Sequence, residues 1–247
     1  MIFQRRLFLS LYLAIAVIAA GCHKSPTEVD PVEGFTIAGI DISHHNIDAY
    51  SPVNWQQVRE AGYTFAFVKA TDGYKSCWTD PTFASSMDAG YRAGVLMGAY
   101  HYARPDANPD ARVEAECFLQ AAGRYLTSGY LRPVLDVERG SELGKTALSD
   151  WVHLWMNTIQ ARTGIEPILY TYSSFTQYFE LSVTRYALWL AHYTHDPEVT
   201  PNSGLWNVWD FWQYTDRGSV PGVGDPTIDV DVFNGDLARL EREFVIH

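Results

Sequence analysis

The residues with the clearest chemical potential are carboxylates placed inside short apolar runs. Asp41 alternates with isoleucines, and Asp136 and Glu138 stand two residues apart in the run Leu-Asp-Val-Glu. Asp229 and Asp231 repeat that spacing in Ile-Asp-Val-Asp-Val. Side chains two residues apart on a strand point to the same face, so each run presents its carboxylates opposite its apolar residues. The pattern predicts that acidic groups converge at the ends of strands.

Carboxylates gathered in this way can hydrolyse a glycosidic bond. Burial and like charge disfavour ionisation, so one carboxyl group in such a cluster keeps its proton near neutral pH. Glycosidases use a protonated carboxylic acid to protonate the leaving oxygen and a second carboxylate to stabilise or attack the sugar centre. Glu138 has the longer side chain and suits the acid role, beside Asp136. Their Cα atoms would lie roughly 6.6 Å apart on a strand, which fits retention or inversion and leaves the stereochemistry open.

The chain that must position these groups alternates short apolar runs with amphipathic stretches. This alternation favours βα units and a largely parallel sheet, and helical periodicity ends after the fifth unit. We therefore predict an α/β fold, an incomplete TIM-like (β/α)5(β)3 barrel of eight strands and five helices, with its chemistry in the loops that follow the strands. Strands are predicted at 36–43, 64–70, 94–102, 133–138, 167–172, 187–193, 208–214 and 228–233, and helices at 55–61, 81–93, 111–125, 146–162 and, shorter, 175–179.

The first segment is predicted to be a targeting signal. Arg5 and Arg6 precede an apolar run over 7–20, which is too short to span a membrane comfortably and ends in Ala-Ala-Gly-Cys. Small residues before Cys22 resemble the lipobox of bacterial lipoproteins, in which that cysteine is lipidated; an ordinary signal peptide with an incidental cysteine is the alternative. We predict a lipoprotein signal peptide over 1–21, a lipidated N-terminus and flexible tether over 22–35, and a catalytic barrel over 36–247. The protein would be exported and anchored to a membrane, the outer membrane being favoured in a Gram-negative host because His23 and not Asp follows the cysteine.

Composition limits the partners and the redox chemistry. The 247 residues carry a net charge of −11 without a cluster of Lys or Arg, which argues against nucleic acid as a partner. With Cys22 assigned to lipid, Cys77 and Cys117 remain; in an exported protein they can form a disulfide or stay as inert buried thiols. Neither belongs to a zinc-binding or catalytic thiol motif, so no cofactor is expected. We expect a monomer.

Several motifs together resemble glycoside hydrolase family 25. They are Gly-Ile-Asp-Ile-Ser-His-His (39–45), Phe-Val-Lys-Ala-Thr-Asp-Gly (67–73), Gly-Ala-Tyr-His-Tyr (98–102), Leu-Asp-Val-Glu (135–138), Leu-Trp-Leu-Ala-His-Tyr (188–193), Phe-Trp-Gln-Tyr-Thr (211–215) and Asp-Val-Asp-Val-Phe-Asn-Gly (229–235). The resemblance implies a lysozyme of the Chalaropsis type, an N-acetylmuramidase that cleaves the β-1,4 bond between N-acetylmuramic acid and N-acetylglucosamine in peptidoglycan. It also implies a β/α barrel of eight strands and five helices.

The resemblance assigns roles to the carboxylates. It makes Glu138 the general acid/base and Asp136 the group that assists the substrate N-acetyl, while Asp41 and Asp229 complete the catalytic set. Asp231 stands where the family often has Asn, and we leave it outside that set.

Aromatic residues and one lysine are candidates for substrate binding. Flat rings stack on sugars while their polar edges bind hydroxyls, although large aromatic residues are equally often core residues. The candidates are Tyr100, Trp189, Tyr170 and Trp212, of which the resemblance favours the first two. Lys69 either contacts substrate or serves as a counter-ion for the acidic cluster.

Two other functions fit parts of the pattern. Asp41, His44, His45 and His101 are residue types that ligate zinc, as in a metal-dependent peptidoglycan deacetylase or amidase. Adjacent histidines rarely bind one ion, which disfavours this reading. A catalytically inactive glycan-binding lipoprotein is the second alternative, disfavoured because a binding protein has no need to desolvate several carboxylates.

Overall fold

The computed structural model describes residues 34–48, 50–194 and 200–247. The predicted signal peptide, Cys22 and nearly all of the tether lie outside these residues. The strands are β1 (Ala38–Ile42), β2 (Tyr63–Asp72), β3 (Trp78–Thr79), β4 (Leu96–Tyr102), β5 (Val134–Asp136), β6 (Ile168–Tyr172), β7 (Leu188–Ala191), β8 (Phe211–Gly218) and β9 (Ile228–Phe233). The α-helices are α1 (His45–Asp48), α2 (Trp55–Glu60), α3 (Phe83–Arg92), α4 (Ala111–Ala122), α5 (Lys145–Thr163) and α6 (Leu237–Phe244).

Eight strands close into a barrel, which confirms the predicted α/β, TIM-like fold class. The order around the sheet is β1-β9-β8-β7-β6-β5-β4-β2, and a direct pairing of β1 with β2 completes the circle. β3 is a ninth, two-residue strand that pairs only with β2, outside the barrel. The barrel strands pair in parallel except for β9, which runs antiparallel to both β1 and β8. Because β9 runs in the opposite direction, its first residues lie at the end of the barrel where the parallel strands terminate.

The helices follow the predicted rhythm through the first four units. α2, α3, α4 and α5 lie at the four longer predicted positions, whereas the fifth position is the 3-10 helix Ser173–Tyr178. α6 was not predicted; the Asp236 side chain caps its N-terminus, and Leu240 and Phe244, one turn apart, are buried against the barrel interior. None of the described helices is both long and apolar enough to cross a membrane.

The lower part of the barrel is filled by aromatic side chains. Phe65 and Phe67 of β2 point inward on alternate positions and pack against Phe211 of β8. Gly39 lies directly against Phe65, because a Cβ at that position would approach the ring to 2.3 Å. This apolar layer closes the barrel from below, so the polar inward residues are confined to the end where the parallel strands terminate.

A disulfide joins Cys77, beside β3, to Cys117 of α4. Forty residues separate the two cysteines in sequence, and the bond connects the loop that follows β2 to the helix that follows β4. Of the two states that the sequence left open for these cysteines, the structure has the bridge.

Candidate active site

The four predicted catalytic carboxylates meet at one end of the barrel. Asp41 is near the end of β1, Asp136 is the last residue of β5, and Glu138 follows it by two positions. Asp229 is near the beginning of β9, and because β9 is antiparallel, its first residues lie at the same rim, with Asp229 paired to Asp41 in register. The four side chains line one cleft of about 460 Å³.

The cleft is polar and adjoins a second, more aromatic cavity of about 480 Å³. Three residues line both cavities: Glu138, Tyr170 and Tyr193. The two cavities therefore meet at Glu138, the predicted general acid. The first cavity is lined by Asp41, Ser43, His45, Lys69, Asp72, Tyr100, Tyr102, Arg104, Asp136, Glu138, Arg139, Tyr170, Trp189, Tyr193, Gln213 and Asp229, and the second adds Tyr172, Ser173, Ser174, Ala191 and His192.

Gln213 of β8 orients Asp41. Its Nε2 donates to Oδ2 of Asp41 at 2.6 Å, while its Oε1 accepts from the hydroxyls of Tyr170 at 2.9 Å and Tyr193 at 2.8 Å. Two donors on Oε1 fix the orientation of the amide, because its nitrogen is then the only end that can face the carboxyl group. Sequence reasoning missed both Gln213 and Tyr193, although each falls within a quoted motif.

Asp41 also contacts Asp231, the acid one layer deeper in the barrel. Asp231 is fully buried, and its Oδ1 accepts from the indole Nε1 of Trp189 at 2.7 Å. Burial, followed by the charge of Asp231, raises the pKa of Asp41, and burial likewise raises the pKa of Asp231. Two carboxyl groups in contact away from water share a proton, because both cannot ionise at low cost. Trp189 and Gln213 therefore hold a protonated pair beneath the cleft.

Asp136 and Glu138 form a second pair, at the cleft surface. Burial raises the pKa of both carboxyl groups. The contact between them raises the pKa of Asp136 further and lowers that of Glu138, and the positive charge of Lys69 lowers both. Oδ1 of Asp136 is buried and has no hydrogen-bond partner among the described residues. A buried acceptor without a donor is costly, so this oxygen is suited to accept an N–H or O–H from a bound ligand.

Asp229 is more exposed than Asp231, the other acid of β9, and its pKa is still strongly raised. Burial, reinforced by the charges of Asp41 and Asp216, raises the pKa of Asp229 to about 9. The Asp229 side chain is therefore neutral at acidic and neutral pH, where it can donate a hydrogen bond as well as accept one.

The predicted binding residues divide into two groups. Tyr100, Tyr170 and Trp189 line the cleft floor, and Trp189 is only 1% exposed because one face stacks on Phe67, with 4.5 Å between ring centroids. Trp212 lies on the opposite face of β8, where its Nε1 donates to the carbonyl oxygen of His192 at 2.8 Å within the outer core. The structure does not bring Trp212 to the cleft, because the inward positions of β8 are Phe211 and Gln213.

Lys69 lies in the cleft wall as a buried cation. Its Nζ is 3.1 Å from Oδ2 of Asp72 and 4.5 Å from the ring centroid of Tyr102. Its charge also acts on Asp136 and Glu138. This position, in the cleft and beside the acidic pair, is compatible with either of the two roles predicted for Lys69, substrate contact or counter-ion.

Of the histidines considered as metal ligands, His44 and His45 lie together with 3.8 Å between their ring centroids, whereas His101 lies on another face of the barrel wall. His44 Nδ1 is 3.0 Å from Oδ2 of Asp80, and His101 is buried on the outward face of β4 with Nε2 2.7 Å from Oε2 of Glu114. Only His45 of the three lines the cleft. Within 34–48, 50–194 and 200–247, no group of three or more His, Cys, Asp or Glu has an arrangement that could hold a metal ion.

Comparison with known proteins identifies relatives of this chain. Residues 40–223 match the family described as Glycosyl hydrolases family 25. The chain is 36% identical over 217 residues to the uncharacterized protein YegX of Escherichia coli O6:H1, covering 84% of this chain and 73% of that protein. It is 31% identical over 237 residues to lysozyme M1 of Streptomyces globisporus, covering 90% and 77%. The crystal structure of the bacterial lysozyme from Streptomyces coelicolor superposes with a TM-score of 0.74 at 30% identity, covering 85% of this chain and 97% of that one.

Proposed function

The chain belongs to glycosyl hydrolase family 25, and we propose that it is a muramidase that cleaves the β-1,4 bond between N-acetylmuramic acid and N-acetylglucosamine in peptidoglycan. The observation that carries this proposal is the Asp136–Glu138 pair at the meeting point of the two cavities. Both carboxyl groups have raised pKa values, and one oxygen of Asp136 has no partner among the described residues. This combination supplies a proton donor and a vacant acceptor side by side, as hydrolysis assisted by the substrate's own N-acetyl group requires.

The first step transfers one proton and exchanges one bond at the anomeric carbon. The Asp136–Glu138 pair shares one proton, and the step proceeds from the form that has this proton on Glu138 and leaves Asp136 ionised. Glu138 donates the proton to the glycosidic oxygen, and the bond from that oxygen to the anomeric carbon breaks. The carbonyl oxygen of the 2-acetamido group forms a bond to the same carbon, which produces a cyclic oxazolinium ion. Oδ1 of Asp136 accepts the acetamido N–H and stabilises the positive charge that develops there, because a negative group beside a forming cation lowers the barrier.

The second step reverses the roles. Ionised Glu138 takes a proton from a water molecule, whose oxygen attacks the anomeric carbon and opens the oxazolinium ring. The sugar then has a new hydroxyl on the face that the leaving oxygen occupied, so the configuration is retained after two inversions. Asp229 borders the sugar site in neutral form, where its proton binds a hydroxyl, and Asp41 shares a proton with Asp231, so together they add little repelling charge.

We also propose that the enzyme is exported, lipidated at Cys22 and held on a membrane as a monomer, by the outer membrane if the host is Gram-negative. The supporting features are the basic residues, the apolar run and the Ala-Ala-Gly-Cys sequence near the N-terminus. Metabolic labelling with an alkyne fatty acid tests the lipidation: label should enter the protein and be lost in Cys22→Ala. Label retained by that variant would refute the anchor while leaving the muramidase assignment intact.

Mass spectrometry of digested peptidoglycan tests the activity. The strands and helices of the barrel all lie after residue 34, so a soluble protein spanning Ser25 to His247 retains them. We expect new reducing ends on muramic acid with the wild type and none with Glu138→Gln. Glu142→Gln, an exposed change four residues away, is the matched control and should cleave normally. Intact glycan from the wild type on several walls would favour a binding protein, and release of acetate or peptide without chain cleavage would favour a deacetylase or amidase.

A further inference from the structure

Three cations line one wall of the polar cleft, although the chain as a whole is strongly acidic. They are Lys69, Arg104 and Arg139, and they surround Tyr102 beside the Asp136–Glu138 pair. The other side of the cleft holds Asp229, whose pKa is raised in part by Asp216 and Asp225. The three cations thus share one wall with Asp72 and the Asp136–Glu138 pair, and they are the only Lys or Arg residues among the described residues that line the cleft.

Two of the three cations are already paired with carboxylates. Lys69 contacts Asp72 at 3.1 Å, and Arg104 binds Asp106 through two parallel hydrogen bonds of 2.9 Å each. The bidentate geometry occupies the Arg104 guanidinium edge that would recognise a carboxylate from solution.

Arg139 differs from both. Its Nε donates to the hydroxyl of Tyr102 at 3.0 Å, and among the described residues no carboxylate forms a salt bridge with it. That bond fixes the plane of the guanidinium and leaves its two terminal nitrogens available. The side chain is exposed, lines the cleft and follows Glu138 directly in the chain. An oriented, unpaired guanidinium beside a proton donor is suited to a planar anion.

The proposed substrate carries such an anion at the required place, so this inference rests on the proposed function. In muramic acid the N-acetyl group is on C2 and the lactyl ether is on the adjacent C3. When the N-acetyl contacts Asp136, the lactyl arm leaves the ring next to it. We propose that Arg139 binds a carboxylate carried by the lactyl arm of muramic acid and thereby selects the muramic sugar over N-acetylglucosamine at the cleaved position.

The carboxylate has two possible sources in the wall polymer. In glycan freed of peptide it is the lactyl carboxylate itself, and in intact peptidoglycan it belongs to the stem peptide attached to that arm. In both cases Arg139 would bind a carboxylate, so the two sources are distinguished by substrates that differ only in the lactyl carboxylate or the stem peptide.

The test compares wild type, Arg139→Gln and a control on three glycans. The first is peptide-free glycan with free lactyl carboxylates, the second is that glycan with its carboxyls converted to methylamides, and the third retains its stem peptides. The control is Arg112→Gln, an exposed arginine on α4 that pairs with Asp110 outside the cleft. KM and kcat are measured from muramic reducing ends.

We expect the wild type and Arg112→Gln to have a KM roughly tenfold lower on free carboxylate than on methylamide, the size of one charge-assisted contact at an exposed site. Arg139→Gln should lose this preference through KM, and Arg139→Lys should recover part of it. Because the charge of Arg139 also lowers the pKa of Glu138, any change in kcat should be the same on both glycans. A comparable rise in the KM of Arg139→Gln on peptide-bearing glycan would show that Arg139 also binds a carboxylate of the stem peptide.

Three results would overturn the inference. They are equal KM values of the wild type on free carboxylate and on methylamide, a KM preference that Arg139→Gln retains, and a KM preference that Arg112→Gln loses to the same extent as Arg139→Gln. Cleavage by the wild type in each of these cases leaves the muramidase assignment standing. Absence of muramic reducing ends with every glycan would instead refute the proposed function, and the inference with it.

Discussion

Replacing Asp229 with Asn should stabilise the fold, and the gain should grow with pH. Burial and the neighbouring carboxyls raise the pKa of Asp229 to about 9 from an ordinary value of 3.8. Between these values the folded protein holds a proton that the unfolded chain releases, so raising the pH favours unfolding. The contribution of Asp229 is therefore most favourable below about pH 4 and is lost progressively up to about pH 9. Asparagine has nearly the same shape and does not ionise, so it removes this loss.

The size of the gain follows from the linkage relation. A fully expressed shift changes the free energy of unfolding by about 1.4 kcal/mol per pH unit, or about 4 kcal/mol between pH 5 and pH 8. Asp229 is partly exposed and interacts with Asp41, which can adjust its own protonation, so we halve this to about 2 kcal/mol. For a chain of this length that corresponds to roughly 4–8 °C in melting temperature.

Calorimetric melting of the soluble barrel at pH 5 and pH 8 measures this effect. The melting temperature of Asp229→Asn minus that of the wild type should be small and positive at pH 5, which already lies above the ordinary value of 3.8, and larger by roughly 4–8 °C at pH 8. Asp150→Asn, an exposed change on α5, should show no such dependence. An equal difference in melting temperature at both pH values, or a variant less stable than the wild type at pH 8, would contradict this prediction. Either result would show that Asp229 is ionised in the folded protein at neutral pH.

Three further predictions concern the parts of the structure that hold the cleft in place. Gln213→Leu should lower kcat/KM by about 10- to 100-fold in a reducing-end assay, because it removes the donor to Asp41, and should also lower the melting temperature, because it leaves the buried hydroxyl of Tyr170 without its acceptor; an unaffected rate of the folded variant would contradict the orienting role. Cys77→Ser combined with Cys117→Ser should lower the free energy of unfolding in urea by about 2–4 kcal/mol, since the bridge closes a loop of 40 residues; a smaller loss would indicate that the unfolded chain is little constrained by it. Glu114→Gln, at a fully buried carboxylate, should cost about 3 kcal/mol in the same assay, and no loss would mean that its contacts are replaceable.

Strand periodicity was sufficient to find the acids but not to orient every strand. In β1 and β5 the inward residues are acidic and their neighbours aliphatic, so the two faces differ in hydropathy. In β8 both faces carry large aromatic residues, Phe211 inward and Trp212 outward, so hydropathy does not distinguish them. Trp212 was therefore a candidate for the cleft, but the structure places it in the core outside the barrel. Gln213 was the polar residue that marked the inward face, and applying the alternation rule to it would have identified the partner of Asp41.

The direction of β9 was beyond the same reasoning. A period of two assigns side chains to faces whichever way the strand runs, so Ile-Asp-Val-Asp-Val contains no information on direction. The short connection from β8 to β9 permits only an antiparallel pair, since a parallel return needs a crossover of a dozen or more residues. The strands predicted from the sequence, 208–214 and 228–233, leave 13 residues between them, enough for a crossover. The longer β8 of the structure shortens the connection to nine residues, and this brings Asp229, and not Asp231, to the rim.

The protonation of the cluster follows from how few cations the barrel interior contains. Five carboxyl groups approach one another at or beneath the cleft floor, and Lys69 is the buried cation whose charge reaches the Asp136–Glu138 pair. If all five were ionised, their mutual repulsion in a desolvated site would exceed what one lysine offsets, so protons must supply the remaining neutralisation. The same protons are what the chemistry uses, because Glu138 needs one to protonate the leaving oxygen. Burying the clustered carboxyl groups therefore keeps the catalytic acid protonated to higher pH while it weakens the fold at high pH, and stability and activity should decline together as the pH rises.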